Sequence, residues 1–169
     1  RHLTPESGGD DDALFWALRG AGANFGVVTA MEIELFPVAT LLGGELCFGN
    51  DASNDVLDAY ADWARAVPDE MASSLLLLRY PDDMDVPAEL RGQHVTHLRV
   101  AYSGDDQREG RHLIDTMRRV APPLSDSVRM MPYADVGSIH HEPVDVPVAA
   151  FDRNTRLADF DHDAAAVEP

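Results

Sequence analysis

Two periodicities alternate along the chain. From Val27 to Phe36 the side chains fall into two sets, with Val27, Thr29, Met31, Ile33 and Leu35 on one side and Glu32 and Glu34 on the other. A period of two is that of a half-buried strand, and Pro37 ends it. Ahead of it, Arg1 to Asp12 holds Pro5, Gly8, Gly9 and a three-aspartate run and reads as a loop. The spacing then predicts a helix from about Asp12 to Arg19, with Leu14, Phe15 and Leu18 on one side and Gly20 as its stop. The aspartates suit its positive end.

Beyond Pro37 the pattern restarts. Leu41 to Phe48 reads as a strand, and Asp51 to Val67 as a helix, because Val56, Tyr60, Trp63 and Val67 recur at spacings of three and four. Met71 to Tyr80 reads as a strand whose centre, Leu75 to Leu78, suggests cover on both faces; His94 to Tyr102 is another. Asp106 and Glu109 have capping-box spacing at the start of a second helix with a stripe of Gly110, Leu113, Ile114, Met117 and Val120. Pro122-Pro123 breaks it, and Ser127 to Met131 is the fourth strand of the series. The order β-α-β-β-α-β predicts an α+β fold, a split βαβ layer with helices covering an antiparallel sheet. A short turn of helix is expected around Ala134-Asp135-Val136, then a strand from Val148 to Leu157 and an acidic tail from Asp159.

A chain of 169 residues is long enough to bury about 70% of its unfolded surface without staples. Cys47 is the single cysteine, so no internal disulfide forms and a reducing, cytoplasmic setting is expected. The formal charge of -17 disfavours nucleic acid and anionic membrane as partners. Every basic residue is arginine, and the chain opens on Arg1 without a leader, which suggests processing or truncation.

Gly20 to Gly26 is the strongest local feature. Small residues permit either a tight structural turn or close approach of a ligand to the backbone. The segment lacks the Gly-Lys-Ser/Thr ending of a P-loop. On the strand His94 to Tyr102, alternation sets Thr96, Leu98, Val100 and Tyr102 against the helices and Val95, His97, Arg99 and Ala101 on the other face. His140-His141-Glu142 and Asp161-His162-Asp163 lack the spacing of a metal site and read as surface loops. Cys47 reads as a buried spectator, and no metal is expected.

The run Asp12-Ala13-Leu14-Phe15-Trp16-Ala17-Leu18-Arg19-Gly20-Ala21-Gly22-Ala23-Asn24-Phe25-Gly26-Val27-Val28-Thr29, with Leu35-Phe36-Pro37-Val38 after it, resembles the closing motif of the flavin domain in FAD-linked oxidases of the berberine-bridge-enzyme-like group. Ala59 to Trp63, Pro68-Asp69-Glu70, Ala101 to Asp105 and Met131-Pro132-Tyr133 resemble the same group's substrate domain. The resemblance implies that residues 1–38 are the last helix, turn and strand of a PCMH-type FAD-binding domain and residues 39–169 part of a substrate-binding domain. It implies hydride transfer from a sugar or secondary metabolite to FAD and then to oxygen, with Val27 touching the cofactor through its main chain and Asn24 and Gly26 shaping the approach. Ala21 and Ala23 stand where the family has glycine. His97 and Arg99 would lie on the face toward flavin and substrate, where a histidine can exchange a proton and an arginine can stabilise negative charge; the plainer alternative is a solvated or interface-facing polar pair. The family's pyrophosphate loop, its linkage residues and its later catalytic bases have no counterpart here, so the isolated chain is expected to bind no FAD and turn nothing over. The alternative is a cofactor-free α+β module. An open strand edge and an apolar patch favour a homodimer.

Overall fold

The computed structural model of the chain describes residues 2–140 except 7, 21, 36, 83–87 and 89, with the backbone alone at 22 and 23. The expected strand Val148 to Leu157, the acidic tail, His141, Glu142 and Asp161 to Asp163 lie outside the described residues. Two compact units are present, residues 1–37 and 38–169.

In the first unit, α1 spans Asp10–Leu18. Three aspartates occupy its first turn, where they face the positive helix end; Asp12 also accepts a hydrogen bond from the Gly8 amide at 2.9 Å. None of its residues is buried, and Arg19 lies over the Phe15 ring at 5.0 Å. A 3-10 turn follows at Gly22–Phe25. The strand expected from Val27 to Phe36 is not formed: residues 26–35 carry no regular structure, and all are exposed. Alternation gives a segment the right faces, but a strand exists only by pairing, and no described strand pairs with this one.

The second unit is the α+β layer. Its elements are β1 (Thr40–Gly49), α2 (Ser53–Ala66), β2 (Met71–Arg79), β3 (His94–Tyr102), α3 (Gln107–Arg118), β4 (Ser125–Asp126) and β5 (Arg129–Pro132), with a 3-10 helix at Tyr133–Ile139. The sheet is antiparallel, in the order β2-β3-β1-β4, with β5 also on β1. Thus β1 and β2, joined through α2, are separated by β3, as the β-α-β-β-α-β order requires.

Register puts Leu46 opposite Leu98 and Leu42 opposite Tyr102, and these residues share one face with Phe48 and Val100. Val56 and Trp63 of α2 and Ile114 and Met117 of α3 cover that face and complete the core. The Trp63 indole donates to the Leu113 carbonyl at 2.9 Å, tying the two helices together. At one end of the opposite face, Ile139 packs with Leu41 and Met131.

The α3 start follows its sequence signal in part. Asp106 caps the helix by accepting from the amides of Arg108 and Glu109, at 2.9 and 3.2 Å. Glu109 does not close the box: its carboxylate accepts from the Tyr102 hydroxyl at 3.2 Å. Asp106→Ala should therefore cost about 1 kcal/mol, readable as a lower urea midpoint at unchanged slope.

Two expectations about strands need correction. The leucine run of β2 is not covered on both faces; its leucines are half-buried or exposed, with Leu77 44% exposed, because β2 is the sheet edge. The fourth strand is longer than Ser127 to Met131 and broken: β4 and β5 keep one register along β1 and are interrupted at Ser127 and Val128. There Gly44 holds φ +151°, and the Ser127 and Val128 backbone occupies the space a side chain would need. Ser127 spans the gap, its Oγ accepting from the Glu45 amide and its own amide donating to the Glu45 carbonyl, both at 2.9 Å.

Candidate functional site

Two separate groups of residues carry chemistry. In the first unit, Asn24 sits in the 3-10 turn and Gly26 directly after it, with φ +142°, a conformation that side-chain-bearing residues rarely adopt. Among the described residues, its chain neighbours apart, no heavy atom lies within 4 Å of where a Gly26 Cβ would be, so a substitution there is opposed by the backbone angle. Val27 is 90% exposed. Its side chain therefore does not hold a strand against a core. The main chain at Gly26 is bare on the side where its Cβ would be. Ala21 and the Ala23 side chain lie outside the described residues.

The second group lies on the sheet face turned away from the helices. Alternation along β3 places His97 and Arg99 there, and the β1–β3 register sets them opposite Cys47 and Glu45. Glu45 stands between two cations. Its Oε2 accepts from Arg99 Nε at 3.1 Å, and its Oε1 lies 2.7 Å from His97 Nδ1. The latter contact lies off the N–H axis, so it is an ion pair more than an aligned hydrogen bond. His97 Nε2 meets the Tyr80 hydroxyl at 3.3 Å, with the two rings edge to face. Arg99 also donates to His140, to Nδ1 at 3.2 Å and to the carbonyl at 3.1 Å.

This pair is not solvated. His97 is 5% exposed, and Glu45 and Arg99 are nearly as enclosed. The Cys47 sulfur and then the Glu45 carboxylate raise His97 to about 9 against the opposing pull of burial, so the imidazolium persists at neutral pH. Burial pushes the Glu45 carboxyl up, but His97 and Arg99 outweigh it and hold the group below its ordinary value. Burial first, and then the neighbouring Cys47 sulfur and Glu45 carboxylate, raise Tyr80. The result is a line of interacting groups, with Glu45 ion-paired to His97 and His97 hydrogen-bonded to Tyr80.

Sequence reasoning placed His97 and Arg99 on the correct face and missed Glu45, Tyr80 and His140 as their partners. Glu45 is the single charged residue of β1, a signal that was available. Cys47 is buried, as expected, but it neighbours an imidazolium. Among the described residues no group of His, Cys, Asp or Glu side chains is arranged to hold a metal ion. No helix among them is long and apolar enough to cross a membrane.

The fold and this face define an α+β domain with a split βαβ sheet and a buried charged cluster opposite its helices. By sequence the chain is homologous to FAD-linked oxidoreductases. It is 25% identical over 131 residues to the uncharacterized FAD-linked oxidoreductase YgaK of Bacillus subtilis, covering 77% of this chain and 26% of that protein. It is 26% identical over 125 residues to an FAD-linked oxidoreductase of Dictyostelium discoideum, covering 73% and 24%. Identity to the (R)-6-hydroxynicotine oxidase of Paenarthrobacter nicotinovorans is 31% over 136 residues, covering 76% and 27%. The chain thus spans about a quarter of the length of the curated relatives it matches. No protein-family profile matches it.

Proposed function

We propose that these 169 residues are part of an FAD-dependent oxidoreductase of the berberine-bridge-enzyme-like group, acting on a small organic molecule such as a sugar or secondary metabolite. Residues 1–38 contribute the closing turn of the flavin domain, and residues 39–169 contribute a substrate-binding layer. The supporting observation is the Gly26 turn, whose positive φ and unobstructed side match a main-chain approach to a ring within a chain homologous to FAD-linked enzymes. Bound there, FAD supplies hydride acceptance and reoxidation by oxygen. Asn24, Gly26 and Val27 position it through backbone contacts.

The 169 residues alone hold no FAD, because one exposed turn offers few contacts and the charge of -17 opposes a dianionic ligand. Titration of this chain should show no micromolar heat, and tight binding would refute that statement. In a polypeptide of the relatives' length, flavin bands should be stoichiometric after gel filtration. There Val27→Ile retains the flavin, whereas Gly26→Val forces a branched residue to positive φ and loses most of it. Equal occupancy in both variants would remove these residues from the cofactor site.

A second reading, a cofactor-free module that self-associates, is favoured by the exposed side chains of Val27, Met31, Ile33 and Leu35. It predicts a mass by light scattering of twice 18.5 kDa; a mass of 18.5 kDa across a wide concentration range excludes it.

A further inference from the structure

β2 forms one edge of the sheet, and among the described residues no strand pairs with its outer side. Its parity fixes which backbone groups that side carries. The Glu70 carbonyl accepts from the Ser103 amide and the Tyr80 amide donates to the Gln93 carbonyl, both at 3.0 Å, so the even-numbered residues turn their N–H and C=O groups toward β3. The amides and carbonyls of Ser73, Leu75 and Leu77 therefore point to the open side. Natural edge strands are blunted by shortness, proline, lysine or a bulge. β2 has none of these over Met71–Arg79: it keeps unbroken register with β3, and its single charge is Arg79 at the end. Leu77 is exposed, and Leu76 and Leu78 are only half-buried. The two ends of the strand carry opposite charge, with Asp69 and Glu70 ahead of it and Arg79 closing it. Within its own chain Arg79 meets Asp82 at 3.8 Å, an exposed pair of little worth.

We propose that the outer side of β2 is the pairing surface for a second copy of this chain, joined edge to edge and antiparallel about Leu75 into one continuous sheet. Antiparallel pairing sets the acidic end of each strand against the arginine of the other, whereas a parallel copy would set like against like. Leu75 is the middle residue of β2 and belongs to the outward set, so a two-fold axis through it pairs Leu75 with Leu75 and Ser73 with Leu77, each with its backbone groups in reach. The contact is isologous and uses up both open edges, so it stops at two copies. It is built from backbone groups of the second unit and holds with or without a flavin. The exposed side chains of Val27, Met31, Ile33 and Leu35, which favour the self-associating module above, take no part in it.

Two copies at -17 repel at long range, so the association is measured at about 0.15 M salt, where that repulsion is screened beyond about 8 Å. Light scattering of the 169-residue chain should rise with concentration from 18.5 kDa to a ceiling of twice that mass. Over the same range, amide hydrogen exchange should slow at Leu75 and Leu77, while Leu76 and Leu78, already paired with β3, stay protected at every concentration. Leu77→Lys, at an exposed position the fold tolerates, should weaken the dimer about tenfold or more, and Ile33→Glu in the first unit should leave it intact. Arg79→Glu, which makes both ends acidic, should weaken it as well. A mass of 18.5 kDa at all concentrations, a mass that grows past the dimer, or a dimer whose Leu75 and Leu77 amides exchange at an unchanged rate overturns the proposal. A dimer lost in Ile33→Glu and kept in Leu77→Lys also overturns it, and leaves the association through residues 27–35 standing.

Discussion

Glu45→Ala should lower the unfolding free energy by about 3 kcal/mol at pH 6, because it leaves Arg99 and His97 enclosed without their shared carboxylate. The loss should depend on pH in a defined direction. His97 is raised from 6.5 to about 9 in the folded protein, so the stabilisation linked to its proton is complete below pH 6.5 and disappears as pH rises through 9. A rise of that size corresponds to about 3 kcal/mol at most, and the Cys47 contact supplies part of it. Glu45 is lowered from 4.5, so its contribution is present above 4.5 and is lost on acidification through its folded value. The difference between wild type and Glu45→Ala should therefore be widest between pH 4.5 and 6.5 and shrink by pH 9.5. Urea unfolding at three pH values measures it. A difference that does not change with pH would mean that the cluster carries no linked proton.

Ile114→Ala should cost about 3 to 4 kcal/mol and lower the thermal midpoint by about 10 °C. Ile114 is fully buried, at 0% exposure, in the middle of the α3 face against the sheet, and neither helix nor strand can close over the vacated space without moving the rest of the core. Leu77→Ala is the contrasting variant. That side chain is 44% exposed on the edge strand, and its loss should stay below about 1 kcal/mol. Similar losses in both would place the core elsewhere than between the two helices and β1 and β3.

What could be read from the sequence was whatever local spacing determines. The stripe Gly110, Ile114, Met117 and the Asp106 cap of α3 are properties of neighbouring residues, and they hold in the structure. The faces of β3 likewise follow from alternation, so the side on which His97 and Arg99 lie is legible in the sequence. Their partners depend on register between strands more than fifty residues apart, as Glu45 and Arg99 are, and no local pattern encodes that. The strand from Val27 fails for the same reason in reverse: its alternation is present, but pairing is a relation between segments. For β2, four consecutive leucines look alike in a central and an edge strand, and only the sheet order separates the two. Gly44 breaks the last strand through a contact with residues eighty positions away, which composition does not announce.

The strand order also governs how the chain reaches this structure. β1 is made first yet lies between β3 and the β4–β5 ladder, and it never pairs with β2. During synthesis it must wait for residue 94 to find one neighbour and for residue 132 to complete the other. The nearest pairing in sequence, β2 with β3, closes first because its loop costs the least entropy. Until β3 arrives, the Leu41 to Phe48 strip stays unpaired on both edges, with Glu45 as its only charge. That carboxylate, later enclosed between two cations, is in the nascent chain the gatekeeper that keeps an apolar strand from pairing with another copy.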